Sequence, residues 1–303
     1  MNNITSIIDL AVSKGCGVKR NESLKRLTTF KTGGTAAAVV TPKTVGALSE
    51  VLMLCKKLNV KIALLGNGSN TLALDSGFDG IIISTTHGLN ELYLTDECTI
   101  FANAGVTLSK LSSFAYENGL SGAEFLYGIP GSVGGAAFMN AGAYGGEMKD
   151  IAVYCTHLDL DFNIGKLYAR QLDYGYRKSV YMKNGFVITG VSIKLEKGNK
   201  EDMKEKMDEL MQRRLDKQPL EYPSAGSIFK RPEGHFAGAL IEECGLKGFC
   251  IGGACVSEKH AGFIINKGNA TTKDILALID YIQKTVFEKT NVQLETEIKV
   301  LGS

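Results

Sequence analysis

Apolar positions along this chain recur at two periods, and the switches between them mark out the elements. Residues 4 to 14 carry the pattern of a short helix, followed by a polar stretch through Leu27. Thr28 to Gly34 then lead into Ala36 to Val40, an apolar run of strand length. Pro42 and Thr44 open a helix with Val45, Leu48, Leu52 and Cys55 at helical spacing on one face. Lys61 to Leu65 reads as a second, buried strand, and Ile81 to Ser84 as another after Asp79-Gly80. Residues 91 to 95 and 99 to 103 read as paired strands that turn near Asp96. Thr107 caps a helix through about Asn118, with Leu108, Leu111, Phe114 and Ala115 inward and Gly119 at its end. A helix-like segment follows at Ala123 to Tyr127.

Strands dominate after that, at about 151 to 159, 164 to 170 and 186 to 195. Lys200 to Gln218 is a helix whose face carries Met203, Met207, Leu210, Met211 and Leu215, most simply core packing. Pro219 and Pro223 break the chain and place a domain boundary near 198 to 220. Beyond it come a short helix at Ala237 to Cys244, a strand at Phe263 to Asn266 and a helix from Thr271 to about Thr290. That last helix aligns Ile275, Ile279, Ile282 and Val286. A final strand is expected from Val292 to Leu301, with Glu295 and Glu297 on the same side. There is no internal repeat.

Two stretches break the periodic pattern. Tyr127 to Glu147 holds seven glycines (128, 131, 134, 135, 142, 145 and 146) among mostly small residues. Glycine gives access to positive φ and to close backbone approach, which suits a loop wrapped around something flat or phosphorylated. A flexible linker is the bland alternative, but linkers do not interleave Ile, Val, Phe, Met and Tyr. The other stretch is Gly66-Asn67-Gly68-Ser69-Asn70, directly after a strand. It lacks the third glycine and the following helix of a Rossmann fingerprint, and no Lys-Ser/Thr pair makes it a P-loop. A tight loop with exposed amides remains, able to bind phosphate.

Composition narrows the classes. The chain is 44% hydrophobic and 22% charged, and its 34 basic and 32 acidic residues are intermixed. That balance argues against nucleic acid or an anionic membrane as partner. No apolar run has the length of a membrane span, and the first thirty residues lack a signal-peptide core. Seven scattered cysteines without a CxxC pair read as reduced cytoplasmic thiols rather than a zinc site. A cytoplasmic protein with no obligate protein partner is the expectation.

Six segments, in order, resemble the UDP-N-acetylmuramate dehydrogenases, also called UDP-N-acetylenolpyruvoylglucosamine reductases. These are flavoenzymes of bacterial cell-wall (peptidoglycan) precursor synthesis. The segments are Thr29 to Gly34, Gly66 to Asn70, Gly128 to Gly146, Tyr176-Arg177-Lys178-Ser179, Ala225-Gly226-Ser227 through Pro232, and Glu295-Thr296-Glu297. The first two recur across the wider vanillyl-alcohol-oxidase-like flavoproteins; the Arg, Ser and Glu segments are specific to the reductases. The direct passage from Arg177 to the strand near 186 resembles the compact subtype. The resemblance implies an α+β fold: a two-subdomain PCMH/vanillyl-alcohol-oxidase-type FAD-binding region and a C-terminal α+β substrate domain. The expected boundaries are 1–80, 81–200 and 201–303, with the FAD-binding region at about 25–195.

The same resemblance implies FAD and NADPH as cofactors and a UDP-sugar as substrate. The implied cofactor-binding residues are Thr32, Gly66, Asn67, Gly68, Ser69, Asn70, Gly128, Ile129, Pro130, Gly131, Ser132, Gly134, Gly135, Asn140, Gly142 and Gly145. NADPH would reduce FAD, and hydride from flavin N5 would pass to the enolpyruvyl β-carbon, yielding UDP-N-acetylmuramate. Negative charge left at the α-carbon needs a fixed cation, a hydrogen-bond donor and then a proton. Arg177 is implied for the cation, since a guanidinium grips a carboxylate with two hydrogen bonds. Ser227 is implied as the proton donor, with Lys217 or Lys230 to stabilise its alkoxide. Glu297 assists carboxylate and enolate binding, with Glu295 its rival on the same face. Tyr176, Lys217 and Lys230 are the implied substrate contacts. Arg231 stands where the longer subtype usually has Asn, and His260 and Asn266 match only loosely. Two alternatives stay open at this point. One is another FAD-dependent oxidoreductase of the superfamily, a hydroxy-acid or sugar oxidase. The other is a non-enzymatic flavin or nucleotide-sugar binder.

Overall fold

The structure is a computed structural model that describes residues 3–302. It divides the chain into two compact units, 1–20 with 38–67 and 80–213, and 21–37 with 68–79 and 214–303.

The first unit holds most of a four-stranded sheet, in the order Gly17–Ser23, Thr35–Thr41, Phe78–Ser84, Ile62–Leu65. Its last pair is parallel, with Ile62 opposite Ile81 and Leu65 opposite Ser84. The helix Val45–Lys57 starts where the Thr44 hydroxyl accepts from the Ala47 amide at 3.1 Å. Leu48, Val51, Leu52 and Cys55 of this helix share one cluster with Ile7, Ile8, Ala38, Val40, Ile81 and Ile83. A five-stranded antiparallel sheet follows, ordered Ile164–Tyr168, Ala152–Leu158, Val187–Lys194, Thr99–Asn103, Leu92–Leu94. With the helices Leu108–Glu117 and Val133–Met139 it encloses a second cluster around Ile100, Leu111, Val133, Val191 and Ile193.

The second unit is built on the helix Thr272–Thr290. A reciprocal capping box between Thr271 and Asp274 starts it, and left-handed Asn291 ends it. Ile275, Leu278, Ile279, Ile282 and Val286 bury one face against Ile228, Leu240, Ile241 and Val256. The strands Cys250–Ile251, Ala254–Val256 and Ile264–Asn266 form a small antiparallel sheet, and Lys299–Leu301 pairs in parallel with Thr71–Ala73.

Four sequence expectations need correction. Ile62–Leu65 is not buried: Ile62 and Leu64 are exposed and only Leu65 is covered, because this apolar run forms a sheet edge. The final strand is only Lys299–Leu301; residues 292–298 are irregular except for an isolated antiparallel bridge between Thr296 and Phe229. On the helix Lys200–Lys217 the buried stripe runs Met203, Met207, Leu210, Arg214, so Leu215 falls on the exposed side. Steps of four, three and four hold one face of an α-helix, whereas a further residue turns away from it. Finally, not all cysteines are thiols. Cys250 and Cys255 are bonded, facing each other across adjacent strands, while the other five are free. A two-residue hairpin turn places them in register, which the sequence spacing alone does not announce.

Candidate active site

In the first unit, the glycine-rich stretch 127–147 folds as a turn, the short helix Val133–Met139 and a hairpin. Ser132 caps the helix Val133–Met139 by accepting from the Gly135 amide at 3.3 Å. Gly66 lies against that cap: a Cβ there would fall 2.2 Å from Ser132 Oγ. Asn67 completes the junction, its side-chain amide donating to the Pro130 carbonyl at 2.8 Å. Gly134 packs so closely on Ala104 that a Cβ would come within 2.8 Å of the alanine methyl. Gly142 and Gly145 belong to a tight hairpin, Gly142–Ala143 with Gly146–Glu147. Tyr144 and Gly145 have φ of 54° and 93°, the two positive values that a type I′ turn demands.

Arg177 sits on a second tight turn of this unit. Gly175 and Lys178 exchange both backbone hydrogen bonds at 3.1 Å, leaving Tyr176 and Arg177 at the tip. Arg177 has φ 51°, in the left-handed region that non-glycine residues seldom occupy. Its guanidinium carbon lies 5.3 Å from the centre of the Tyr176 ring. The turn is fastened on both sides. The Asn140 side-chain amide donates to the Gly175 carbonyl at 3.0 Å, and the Ser179 hydroxyl donates to the Phe138 carbonyl. Tyr174 leads into the turn with its hydroxyl 3.8 Å from Cys155 Sγ. Burial pushes the Cys155 thiol up to about 12 and raises the Tyr174 and Tyr181 phenols, so all three stay protonated at neutral pH.

The second unit places another set of expected residues together. Ser227 forms an isolated bridge with Phe263, and Ile228 donates to the Gly262 carbonyl at 2.9 Å. Further along the same segment, Glu297 donates its amide to the Ile228 carbonyl at 2.8 Å, and Lys230 donates to the Glu295 carbonyl at 2.9 Å. Ser227 and Glu297 are therefore on adjoining segments. The Asn70 side-chain amide donates to the Glu297 carbonyl at 3.3 Å, and the Lys299 amide to the Asn70 carbonyl at 3.0 Å. Gly68 is held from the other side, accepting from the Thr29 amide at 3.2 Å. Glu295 and Glu297 separate here: Glu295 is exposed and paired with Lys230 at 2.9 Å, while Glu297 is half-buried. Ser227 Oγ donates to the Phe229 carbonyl at 3.1 Å. His260 takes the Gly262 amide on Nδ1 at 3.0 Å, and burial lowers its pKa.

Two residues of interest were missed in the sequence. Arg214 is buried on the helix Lys200–Lys217, one turn before exposed Lys217. An arginine falling at the next core position of the methionine stripe was the available signal. Glu147 accepts from Asn140 at 2.8 Å and pairs with Lys149 at 2.9 Å. Nothing in the spacing of the glycine stretch distinguishes it.

Residues 36–168 match the FAD binding domain family, and residues 218–301 match the UDP-N-acetylenolpyruvoylglucosamine reductase, C-terminal domain family. The UDP-N-acetylenolpyruvoylglucosamine reductase of Clostridium perfringens (strain SM101) is 50% identical over 273 residues, covering 90% of this chain and 89% of the relative. The Clostridium novyi (strain NT) reductase is 48% identical over 285 residues, covering 94% and 92%. The chain belongs to the UDP-N-acetylenolpyruvoylglucosamine reductase family. A crystal structure of the Thermus caldophilus UDP-N-acetylenolpyruvylglucosamine reductase agrees in fold. Its TM-score is 0.81 at 36% identity, over 94% of this chain and 99% of that one. Like its family, the chain thus carries an FAD-binding domain on a mixed helix and sheet fold. Arg177, Arg214 and Lys217 fall between the two matched domain families, and Ser227, Lys230 and Glu297 lie inside the reductase C-terminal match.

The residues present fit FAD on grounds of their own. Thr32 is fully buried, and its hydroxyl has no hydrogen-bond partner among the described residues. The amides of Gly66, Asn67, Gly68 and Ser69 donate to no backbone carbonyl among the described residues. Donors of this kind, without a lysine, suit a pyrophosphate. Gly68 adds φ 64° and an approach to the Leu27 carbonyl that would put a Cβ at 2.1 Å, so the loop admits no side chain there.

Proposed function

We propose that the protein catalyses the NADPH-dependent reduction of UDP-N-acetylglucosamine enolpyruvate to UDP-N-acetylmuramate, in peptidoglycan precursor synthesis. Within the reductase family, the observation that carries this reading is the adjoining placement of Ser227 and Glu297, fixed by the 2.8 Å hydrogen bond from the Glu297 amide to the Ile228 carbonyl. Bound FAD supplies the hydride, taken from NADPH and delivered to the β-carbon of the enolpyruvyl double bond. The chain's own residues handle charge and proton. Arg177 grips the substrate carboxylate with two parallel hydrogen bonds and stabilises the charge that builds up on it. Ser227 holds the proton destined for the α-carbon, donating it meanwhile in a hydrogen bond to the Phe229 carbonyl. Glu297 supports the carboxylate from the neighbouring segment. Tyr176 covers the guanidinium, and Lys217 and Lys230 attract the diphosphate or the carboxylate.

Thr32, Gly66 to Asn70, Gly128 to Ser132, Gly134, Gly135, Gly142 and Gly145 form the FAD-facing set of this proposal; Asn140, whose side-chain amide is engaged by Gly175, Glu147 and Lys149, would meet FAD only through its backbone. In the same proposal, 1–80 and 81–200 are assigned to FAD binding and 201–303 to substrate; the hydrophobic clusters follow that division only in part, since the one built on 225–298 also takes in Phe30 and Leu72 and the one that starts at Ile100 reaches Leu210. No helix among the described residues is long and apolar enough to cross a membrane. A cytoplasmic location is proposed with the activity, since NADPH is supplied there.

The test is an absorbance spectrum of the purified protein, taken before and after anaerobic NADPH and again after the enolpyruvyl UDP-sugar. Flavin bands that bleach with NADPH and return with substrate are expected. A protein that takes up no FAD, or a reduced flavin that the substrate leaves bleached, rejects the reading.

A further inference from the structure

The Arg177 turn holds a basic side chain in a conformation that it does not favour. A non-glycine residue in the left-handed region costs about 1–2 kcal/mol, and such strain persists only where the surroundings over-determine it. The surroundings here centre on one amide. Asn140 is 1% exposed and itself left-handed at φ 47°, closing the helix Val133–Met139. Its Nδ2 donates to the Gly175 carbonyl at 3.0 Å and to Glu147 Oε2 at 2.8 Å, while its Oδ1 accepts from the Lys149 amide at 2.9 Å. The Lys149 contact needs an acceptor and the other two need donors, so the amide has only one workable orientation. A flipped amide would oppose oxygen to oxygen at both the carbonyl and the carboxylate.

Glu147 is itself fixed. It caps the helix Met148–Ile151 in a reciprocal box with Asp150, and Lys149 Nζ pairs with it at 2.9 Å. The Lys149 ammonium first, then the Asn140 amide and the positive charge of Arg177, hold its carboxyl below the usual range. It is therefore an anion at neutral pH and an obligate acceptor for Asn140.

We propose that Asn140 and Glu147 are positioning residues for Arg177: the Glu147 carboxylate orients the Asn140 amide, which fixes the turn and aims the guanidinium at the substrate carboxylate. This goes beyond a cofactor-contact role for Asn140, because both of its amide hydrogens are engaged within the chain. Backbone misplacement of about 1 Å at a binding group can cost on the order of a hundredfold, so a single amide at the base of a strained turn has leverage.

The inference rests on Arg177 gripping the substrate, and the experiment separates the two ideas. Asn140→Gly tolerates the left-handed backbone and removes only the amide. It is made alone and together with Arg177→Ala. The Kd of the enolpyruvyl UDP-sugar is read from perturbation of the bound-flavin absorbance, which needs no turnover. Asn140→Gly alone is expected to weaken binding about tenfold with FAD still bound, and by less than about twofold once Arg177 is alanine. Glu147→Gln is expected to show the same pattern at about threefold, and carries the cycle if Asn140→Gly does not fold. Equal loss with and without Arg177, no loss at all, or loss of FAD from Asn140→Gly would each overturn the positioning role. If Arg177→Ala alone binds substrate like the parent protein, the functional reading fails first and this one with it.

Discussion

The segment of Arg177 and the segment of Ser227 are built in opposite ways. The arginine turn is closed by the Gly175–Lys178 backbone bonds but fastened to its surroundings by side chains: the Asn140 amide holds the Gly175 carbonyl and the Ser179 hydroxyl the Phe138 carbonyl, and Arg177 sits at φ 51°. The serine segment is fastened by backbone. Its amides and carbonyls bond to Gly262, Glu295 and Glu297, so its position does not depend on the Ser227 side chain. A backbone ladder tolerates substitution of the residues it positions, because their side chains do not hold it together. A side-chain clamp ties position to a few specific residues, and each becomes a point of failure.

That difference gives the largest expected effect to Ser227→Ala. Its ladder survives, so folding and FAD uptake stay near normal and stability falls by about 1 kcal/mol at most, for the lost bond to Phe229. Proton delivery does not survive. Substrate-driven return of the flavin bands is expected to slow by about 10²–10⁴-fold, while NADPH-driven bleaching stays near the parent rate. Stopped-flow absorbance separates the two half-reactions, and equal loss of both would remove Ser227 from the proton-donor role.

Arg177→Gly sharpens the contrast from the other side. Glycine adopts a positive φ without strain, so the variant should keep its melting temperature or gain up to about 1 kcal/mol, once flexibility of the unfolded chain is set against relief of strain. Substrate affinity should fall by about tenfold or more, the scale for losing a charge-assisted pair. A stability gain alongside a binding loss would identify strain kept for function. A variant that is less stable and binds normally would mean that the arginine serves the fold.

Most helices and their caps were legible in the sequence because periodicity and capping are local. Thr44, Thr107 and Thr271 each cap the helix expected of them. What was not legible depends on pairing between distant segments. The apolar run Ile62–Leu65 looks the same whether it lies inside a sheet or at its edge. The irregular path of 292–298 is set by residues 228 and 230, not by its own alternation. At the candidate site, the residue types of Arg177, Ser227 and Glu297 could be singled out from motifs. The clamp through Glu147 could not, since it joins two turns separated by about thirty residues. Glu295 and Glu297 fall on one face of an alternating strand, and the structure tells them apart by exposure and by the ion pair of Glu295 with Lys230.

The smallest expected effect is a pH dependence that tests how the clamped region is supported. His157 is 4% exposed, its Nδ1 lies 3.1 Å from the Tyr181 hydroxyl, and its ring stacks on Phe186 at 4.7 Å. Gly165 leaves room for it, since a Cβ there would meet Nε2 at 2.5 Å. Burial lowers the His157 pKa, so the folded protein favours the neutral ring. Because the folded value lies below the unfolded value of about 6.5, the unfolded chain binds more protons in the interval between them. Stability from this group is complete above about pH 6.5 and is lost as pH falls from there toward the folded pKa. His260 shifts in the same direction in the second unit, so each region contributes one such group. Thermal midpoints measured from pH 7.5 to 5 should decline below about 6.5, and His157→Gln, which cannot titrate, should flatten part of that decline. If the slope is unchanged in His157→Gln but vanishes in His260→Gln, the clamped region does not depend on a neutral imidazole. Its stability would then rest on the hydrogen bonds of the turn itself.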